Sequence, residues 1–216
     1  MDGRPTWNHS TPLTLTYALS PIHTINYLKL SDIFAALERA FSSWSSVIPV
    51  NFTGTLDYDN ANITIGFYYG DHGIGSPFDN RVLAHATGPS SGWLNYIHFN
   101  DGFTWAVDFN NYEKAEMVFD LESVALHEIG HVLGLNHSSI HEAVMWAGTP
   151  PRTKKADLTL DDVNGAQALY GANPNFNLGS LKAKKPASKS SFANKSFGLI
   201  EVITISISLV VKAMLF

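Results

Sequence analysis

The segment His127-Glu128-Ile129-Gly130-His131-Val132-Leu133-Gly134-Leu135-Asn136-His137 gathers three imidazoles and a carboxylate within eleven residues. On a helix, positions i and i+4 lie one above the other, so His127 and His131 can present their rings to one metal ion. Gly134 can take the left-handed conformation that ends a helix, and the chain then turns so that His137 reaches the same ion. The sequence has no cysteine, so any metal must be held by imidazole or carboxylate. Three neutral nitrogens leave one tetrahedral position for water, the arrangement of a catalytic zinc. Zinc lowers the pKa of such a water toward about 7, and Glu128 is placed to take its proton as the water attacks a carbonyl carbon. The same carboxyl can then protonate a departing amine, so amide hydrolysis is the chemistry implied. The bland alternative is a helix whose histidines share a face by accident. Five fixed positions should coincide less than about once per million at average residue usage.

These residues need a scaffold, and 216 residues suffice for one domain with a tail. Leu13, Leu15, Tyr17 and Leu19 alternate as in a half-buried strand. Phe34, Leu37, Phe41, Trp44 and Ile48 recur at helical steps, with Ser31 as candidate N-cap and Pro49 as terminator. Strands are expected over 50–55, 62–69, 82–87 and 95–100, with a glycine-rich loop over 70–81. The metal helix starts at an Asp120 cap and ends near Gly134. A last helix runs from Thr159, paired with Asp162 as a capping box, to about Tyr170. Early strands with segregated helices give an α+β fold.

Charge divides the chain. Residues 1–177 carry eight Lys and Arg against eighteen Asp and Glu, whereas 178–216 carry six Lys and one Glu. The acidic body excludes nucleic acid as a partner, since phosphate binding needs a basic face. The domain is expected over 1–174, a polar linker over 175–198 and an apolar tail over 199–216. That tail reads either as a strand or as a lipid-anchor signal that would attach the protein to a membrane. It is too interrupted by Glu201 and Lys212 to cross a bilayer as a helix. The first residues do not read as a secretory signal. Sequons occur at Asn8, Asn51, Asn62, Asn136 and Asn194.

The extended motif resembles that of the metzincin superfamily, and Ser138 after the third histidine resembles the matrixins, or matrix metalloproteinases. Ala143-Val144-Met145 is similar to their Met-turn, in which Met145 would support the metal site. Leu15-Thr16-Tyr17, Leu83-Ala84-His85-Ala86, Asp161-Asp162-Val163 and Leu169-Tyr170-Gly171 extend the likeness over about residues 4–174, with plant-type matrixins the nearest in kind. The resemblance implies a twisted five-stranded mixed sheet, three helices, and a cleft in which a polypeptide substrate lies extended beside Leu83 and Ala84. It also implies an extracellular or cell-surface monomeric endopeptidase with catalytic zinc.

Departures from the family pattern bear on the other metals. His72, His85 and His98 match three ligands of a structural zinc, but Ile74 stands at the aspartate position. The three are either ligands of a residual second zinc or ordinary surface and strand histidines. Asn62, Asn100 and Phe103 replace acidic calcium ligands, so calcium binding should be weak or absent, with Asp79 a remaining candidate ligand. Trp146 and Ala147 replace the tyrosine and proline expected after the Met-turn, which alters the main specificity pocket. Latency through a pro-segment cysteine is excluded for these residues. The competing reading is a non-proteolytic module that keeps zinc while its structural metal sites have eroded.

Overall fold

The computed structural model describes residues 6–7, 13–89, 95–181 and 200–201. Strand β1 (Leu13–Leu19) leads to helix α1 (Leu30–Ser45), then β2 (Val50–Gly54), β3 (Ile63–Tyr68), β4 (Ala84–Ala86) and β5 (Asn95–Asn100). These five strands form one sheet in the order β2-β1-β3-β5-β4. Pairing is parallel except between β4 and β5, where Ala84, His85 and Ala86 oppose Phe99, His98 and Ile97. The mixed sheet of the α+β expectation is therefore present, with β4 as an end strand.

β1 alternates as its sequence predicts from Thr14 to Tyr17, but Ala18 and Leu19 are both buried, and β3 and β5 are buried almost throughout. Burial on both faces is the usual state of parallel strands, whose sequences then read as continuous rather than alternating runs. Helix α1 packs through Ile33, Ala36, Leu37, Ala40, Phe41 and Trp44. Its cap differs from expectation: Lys29 occupies the N-cap with no side-chain bond, and Ser31 lies inside the helix bonding only Asp32. The packing face begins at buried Ile33, one residue ahead of Phe34, while Leu30 is exposed; the start lies upstream of Ser31 because Lys29 O already accepts from Asp32 N and Ile33 N.

Two three-residue strands not foreseen, β6 (Thr104–Ala106) and β7 (Val118–Asp120), pair in parallel and deliver the chain into α2 (Leu121–Val132). Each is too short for a periodicity to declare it. Trp105, the middle residue of β6, is fully buried against Phe67 and Phe99 and donates its indole N–H to Asn100 O at 3.0 Å. Further on, β8 (Gly148–Thr149) pairs antiparallel with β9 (Ile200–Glu201), and α3 (Leu160–Tyr170) closes the body with the expected Thr159–Asp162 capping box.

Of residues 175–181, which open the expected linker, Phe176 and Leu181 reach back to the domain while Asn175, Asn177, Leu178 and Gly179 are exposed. Asn173 donates to Val47 O and Ser45 O, pinning the chain after α3, and Phe176 and Leu181 pack against the core. The remaining linker and, apart from Ile200 and Glu201, the apolar tail fall outside the described residues, as do the sequons at Asn8 and Asn194. No helix among the described residues is long and apolar enough to cross a membrane.

Candidate metal centre

All twelve residues of α2 are buried, including two histidines and two glutamates. A helix buried all round has no polar face to turn to water, so each polar group on it needs a partner inside the protein. The helix begins on the Asp120 carboxylate, which accepts from Ser123 N (2.8 Å) and Ser123 Oγ (2.6 Å). It ends at Gly134, whose φ of 94° is left-handed. Leu135 N returns to Gly130 O and Gly134 N to His131 O, the bonds that close a helix through a left-handed residue. This reversal brings His137 back over the helix.

The three rings converge as the spacing predicts. Centroid separations are 4.6 Å for His127 and His131, 5.2 Å for His127 and His137, and 4.8 Å for His131 and His137. One ligand atom from each falls within 4.8 Å of the others, and His131 Nε2 lies 3.2 Å from His137 Nε2. Nitrogens bound to one tetrahedral zinc at 2.0–2.1 Å stand about 3.3 Å apart, so this spacing fits. Carbonyls fix the tautomers: His127 Nδ1–H donates to Val144 O at 2.7 Å, and His131 Nδ1–H to Leu135 O at 2.8 Å. Each Nε2 is thereby left with its lone pair toward the cluster. His127 Nε2 is buried with no hydrogen-bond partner. A cation fits that orphaned acceptor.

Burial holds His127 and His131 uncharged, while His137 closes the cluster from the exposed side. The His131 pKa falls to about 3, and that of His127 falls well below its ordinary value, desolvation being the main cause in both. Glu128 moves oppositely, its carboxyl raised well above the usual range by burial. Both Glu128 oxygens are buried without a hydrogen-bond partner. Such a group costs several kcal/mol unless a donor joins it, and a metal-bound water is a donor of the right kind.

The floor of the site is set from α3. Asp162, 2% exposed, accepts from Val144 N (2.9 Å), Met145 N (3.0 Å), Thr159 N (2.8 Å) and Thr159 Oγ1 (2.7 Å). It therefore holds the turn whose Val144 carbonyl orients His127. Met145 is buried against Gly130, where a Cβ would overlap its Sδ. Lys155 adds a clamp, donating from Nζ to His141 O and Ala143 O. Reading the sequence placed Asp162 as a helix cap and within the family likeness but not as the anchor of this turn, and missed Lys155, because the bonds to Val144, Met145, His141 and Ala143 span more than ten residues. Trp146, after Met145, bridges to Ser138 and packs tilted on His141 at 5.4 Å.

Leu83 and Ala84 stand at the end strand, but their backbones face differently. Leu83 O accepts from Asn100 N and Thr87 N donates to Tyr96 O, so residues 83, 85 and 87 turn toward β5. By alternation Ala84 and Ala86 turn to the open edge, so Leu83 cannot offer that edge its carbonyl. Gly88, just beyond, passes so close to α2 that a Cβ there would sit 3.1 Å from His131 O.

His72, His85 and His98 form a second cluster, with ligand atoms within 4.8 Å of one another. His85 and His98 are register partners on β4 and β5, and His72 arrives from the glycine-rich loop, its Nδ1–H on Gly70 O and its Nε2 2.9 Å from His85 Nε2. Phe78 stacks on His85 at 4.2 Å, while Tyr96 and Tyr68 pack on His98 at 4.1 and 4.2 Å. Desolvation lowers the His85 pKa to about 3 and that of His98 to about 2. His98 Nδ1 is buried with no hydrogen-bond partner, as a metal ligand awaiting its ion would be.

Asp79 joins no metal cluster among the described residues. Arg81 takes its carboxylate, with Nη2 at 2.8 Å and the backbone N–H at 2.8 Å, and holds its pKa below the usual carboxylate range. Asn100 Nδ2 meanwhile donates to Asp79 O and Val82 O, both at 2.8 Å. An amide donor thus satisfies two loop carbonyls of the kind a calcium ion would otherwise collect.

A family model described as Matrixin matches residues 6–171. Metalloendoproteinase 4-MMP of Arabidopsis thaliana is 53% identical over 185 residues, covering 85% of this chain and 53% of that protein. Metalloendoproteinase 1-MMP of the same plant is 48% identical over 198 residues, 91% of this chain and 53% of its own length. Interstitial collagenase of Oryctolagus cuniculus is 38% identical over 180 residues, 80% of this chain and 34% of that protein. The chain spans about half the length of the plant relatives.

Proposed function

We propose that this chain, which belongs to the matrixin family, is a zinc-dependent endopeptidase that hydrolyses internal peptide bonds of extracellular or cell-wall proteins. The observation that carries the reading is the convergence of His127, His131 and His137 beside a buried carboxyl with no partner of its own. His127, His131 and His137 would hold zinc, which when bound would supply a water acidified toward about 7 and an electrophile for the substrate carbonyl. Glu128 accepts the proton of that water and returns it to the departing nitrogen. A substrate strand pairs with the outward backbone groups of Ala84 and Ala86, which the sheet leaves free, so that the scissile carbonyl is held still near the metal.

The second cluster takes a further zinc, supported by the orphaned His98 Nδ1. Calcium has no role at Asp79, whose carboxylate Arg81 occupies. The partner is an unfolded or extended polypeptide, and the extracellular or cell-surface placement rests on membership of the matrixin family. The non-proteolytic alternative has less support, because the carboxyl needed for catalysis and all three ligands are retained together. Digestion of an unstructured protein tests the proposal. Internal cuts mapped by mass spectrometry should disappear with a zinc chelator and return with added zinc. Cleavage that persists after complete zinc removal contradicts it.

A further inference from the structure

We infer that the metal site formed by His72, His85 and His98 is open: no described residue supplies a fourth ligand, which would be water in the resting protein and a small neutral donor when one is present. This rests on the reading that the cluster holds a metal. The cluster supplies three nitrogens and no carboxylate among the described residues. Closed structural zinc sites use four protein ligands, whereas three ligands leave a position for exchange.

The nearby acids do not fill that position. Asp71 Oδ1 accepts from Gly73 N, Asp79 is held by Arg81, and neither has an oxygen among the converging ligand atoms. Ile74, two residues beyond His72, has no ligating atom.

Access comes from the His72 side. His85 and His98 are buried under Phe78 and Tyr96, but His72 is only half-buried. It borders a cleft of about 360 Å³ that is also lined by His23, Tyr68, Asp71 and Asp101. Asp71 and Asp101 at this rim offset the attraction that a 2+ ion would exert on anions, and the Tyr68 ring offers an apolar wall, so a compact uncharged donor is the fitting class. Three neutral imidazoles also leave the full 2+ charge of the ion unreduced, whereas a carboxylate ligand would lower it by one. The site should therefore be more electrophilic than a closed one and release its metal faster.

Cobalt substitution of the full chain tests this, with imidazole as probe. The visible absorption of cobalt reports its ligands, and metal analysis counts the ions. Wild type should carry two cobalt ions and show a saturable imidazole-dependent spectral change with two components. Ile74→Asp, which adds a carboxylate to the loop, should keep two ions, lose one component and release metal to a chelator more slowly. His72→Ala should carry one ion and lose the same component, which keeps the test decisive if the loop of Ile74→Asp is disturbed. Identical imidazole responses in wild type and His72→Ala, with two ions in wild type, would overturn the open site. A single ion in wild type that still cleaves peptide would show that the second cluster holds no metal, while leaving the proposed endopeptidase intact.

Discussion

Gly130 shows how narrowly single residues are constrained around the metal. It lies between two ligands on α2, where a Cβ would overlap Met145 Sδ and stand 3.1 Å from both Met145 Cε and Trp44 Cζ2. Trp44 is fully buried and fixed by its indole N–H on Leu126 O at 2.9 Å, so the methionine must yield. Gly130→Ala gains helix propensity, yet overpacking should outweigh that gain and destabilise the zinc-loaded protein by about 1–3 kcal/mol. Urea unfolding measures this, and an unchanged or raised midpoint contradicts the packing described. At this scale the ligands were legible, because i and i+4 spacing on a helix and a glycine reversal are local geometry. What orients them was not. The Val144 carbonyl behind His127 and the Asp162 carboxylate behind Val144 lie seventeen and thirty-five residues from His127, beyond any local pattern.

Among the elements, the loop between β3 and β4 and the end of β5 are joined by an amide where the family pattern has an acid. Asn100 donates to Asp79 O and Val82 O through one nitrogen. In Asn100→Asp a carboxylate would confront those carbonyls with no donor between them. The expected cost is about 1–3 kcal/mol, and added calcium should recover part of it by bridging the oxygens. Thermal melting with and without calcium reads the effect. Wild type should be indifferent to calcium, and a calcium-dependent wild type would contradict the amide's role. The long elements were legible because α1 and β1 carry clear periods, and the α3 capping box is a local signature. β6 and β7 escaped notice, being three residues each and held by pairing and by Trp105 rather than by pattern. The start of α1 was misplaced for a related reason: Ser31 has the chemistry of a cap, but the helix begins on backbone bonds to Lys29 O, made without any capping side chain.

For the whole molecule, four histidines, two from each cluster, are buried in neutral form, and this sets how the metal-free protein responds to acid. His131 and His85 have pKa values lowered to about 3, and His98 to about 2, against an ordinary 6.5. Between those values the unfolded chain binds protons that the folded chain refuses, so stability rises with pH and is lost on acidification below about 6.5. Glu128 acts the other way, because its raised pKa keeps a proton that the unfolded chain releases. The chelated protein should therefore melt at lower temperature as pH falls from 7 to 5, and more steeply in Glu128→Gln. A melting temperature that is flat or climbs on acidification contradicts the buried neutral imidazoles. The α+β class was legible from the order of elements, whereas the packing of Phe176 and Leu181 was not, since Asn, Pro and Gly suggest a linker and only Asn173 reveals the anchor. The central claim concerns one carboxyl beside one ion, and hydrolysis of a peptide by zinc-loaded Glu128→Gln addresses it most directly. The variant should hold as much zinc at the first cluster as wild type and lose roughly 10²–10⁴-fold in kcat. Undiminished hydrolysis at equal zinc content would contradict the role assigned to Glu128.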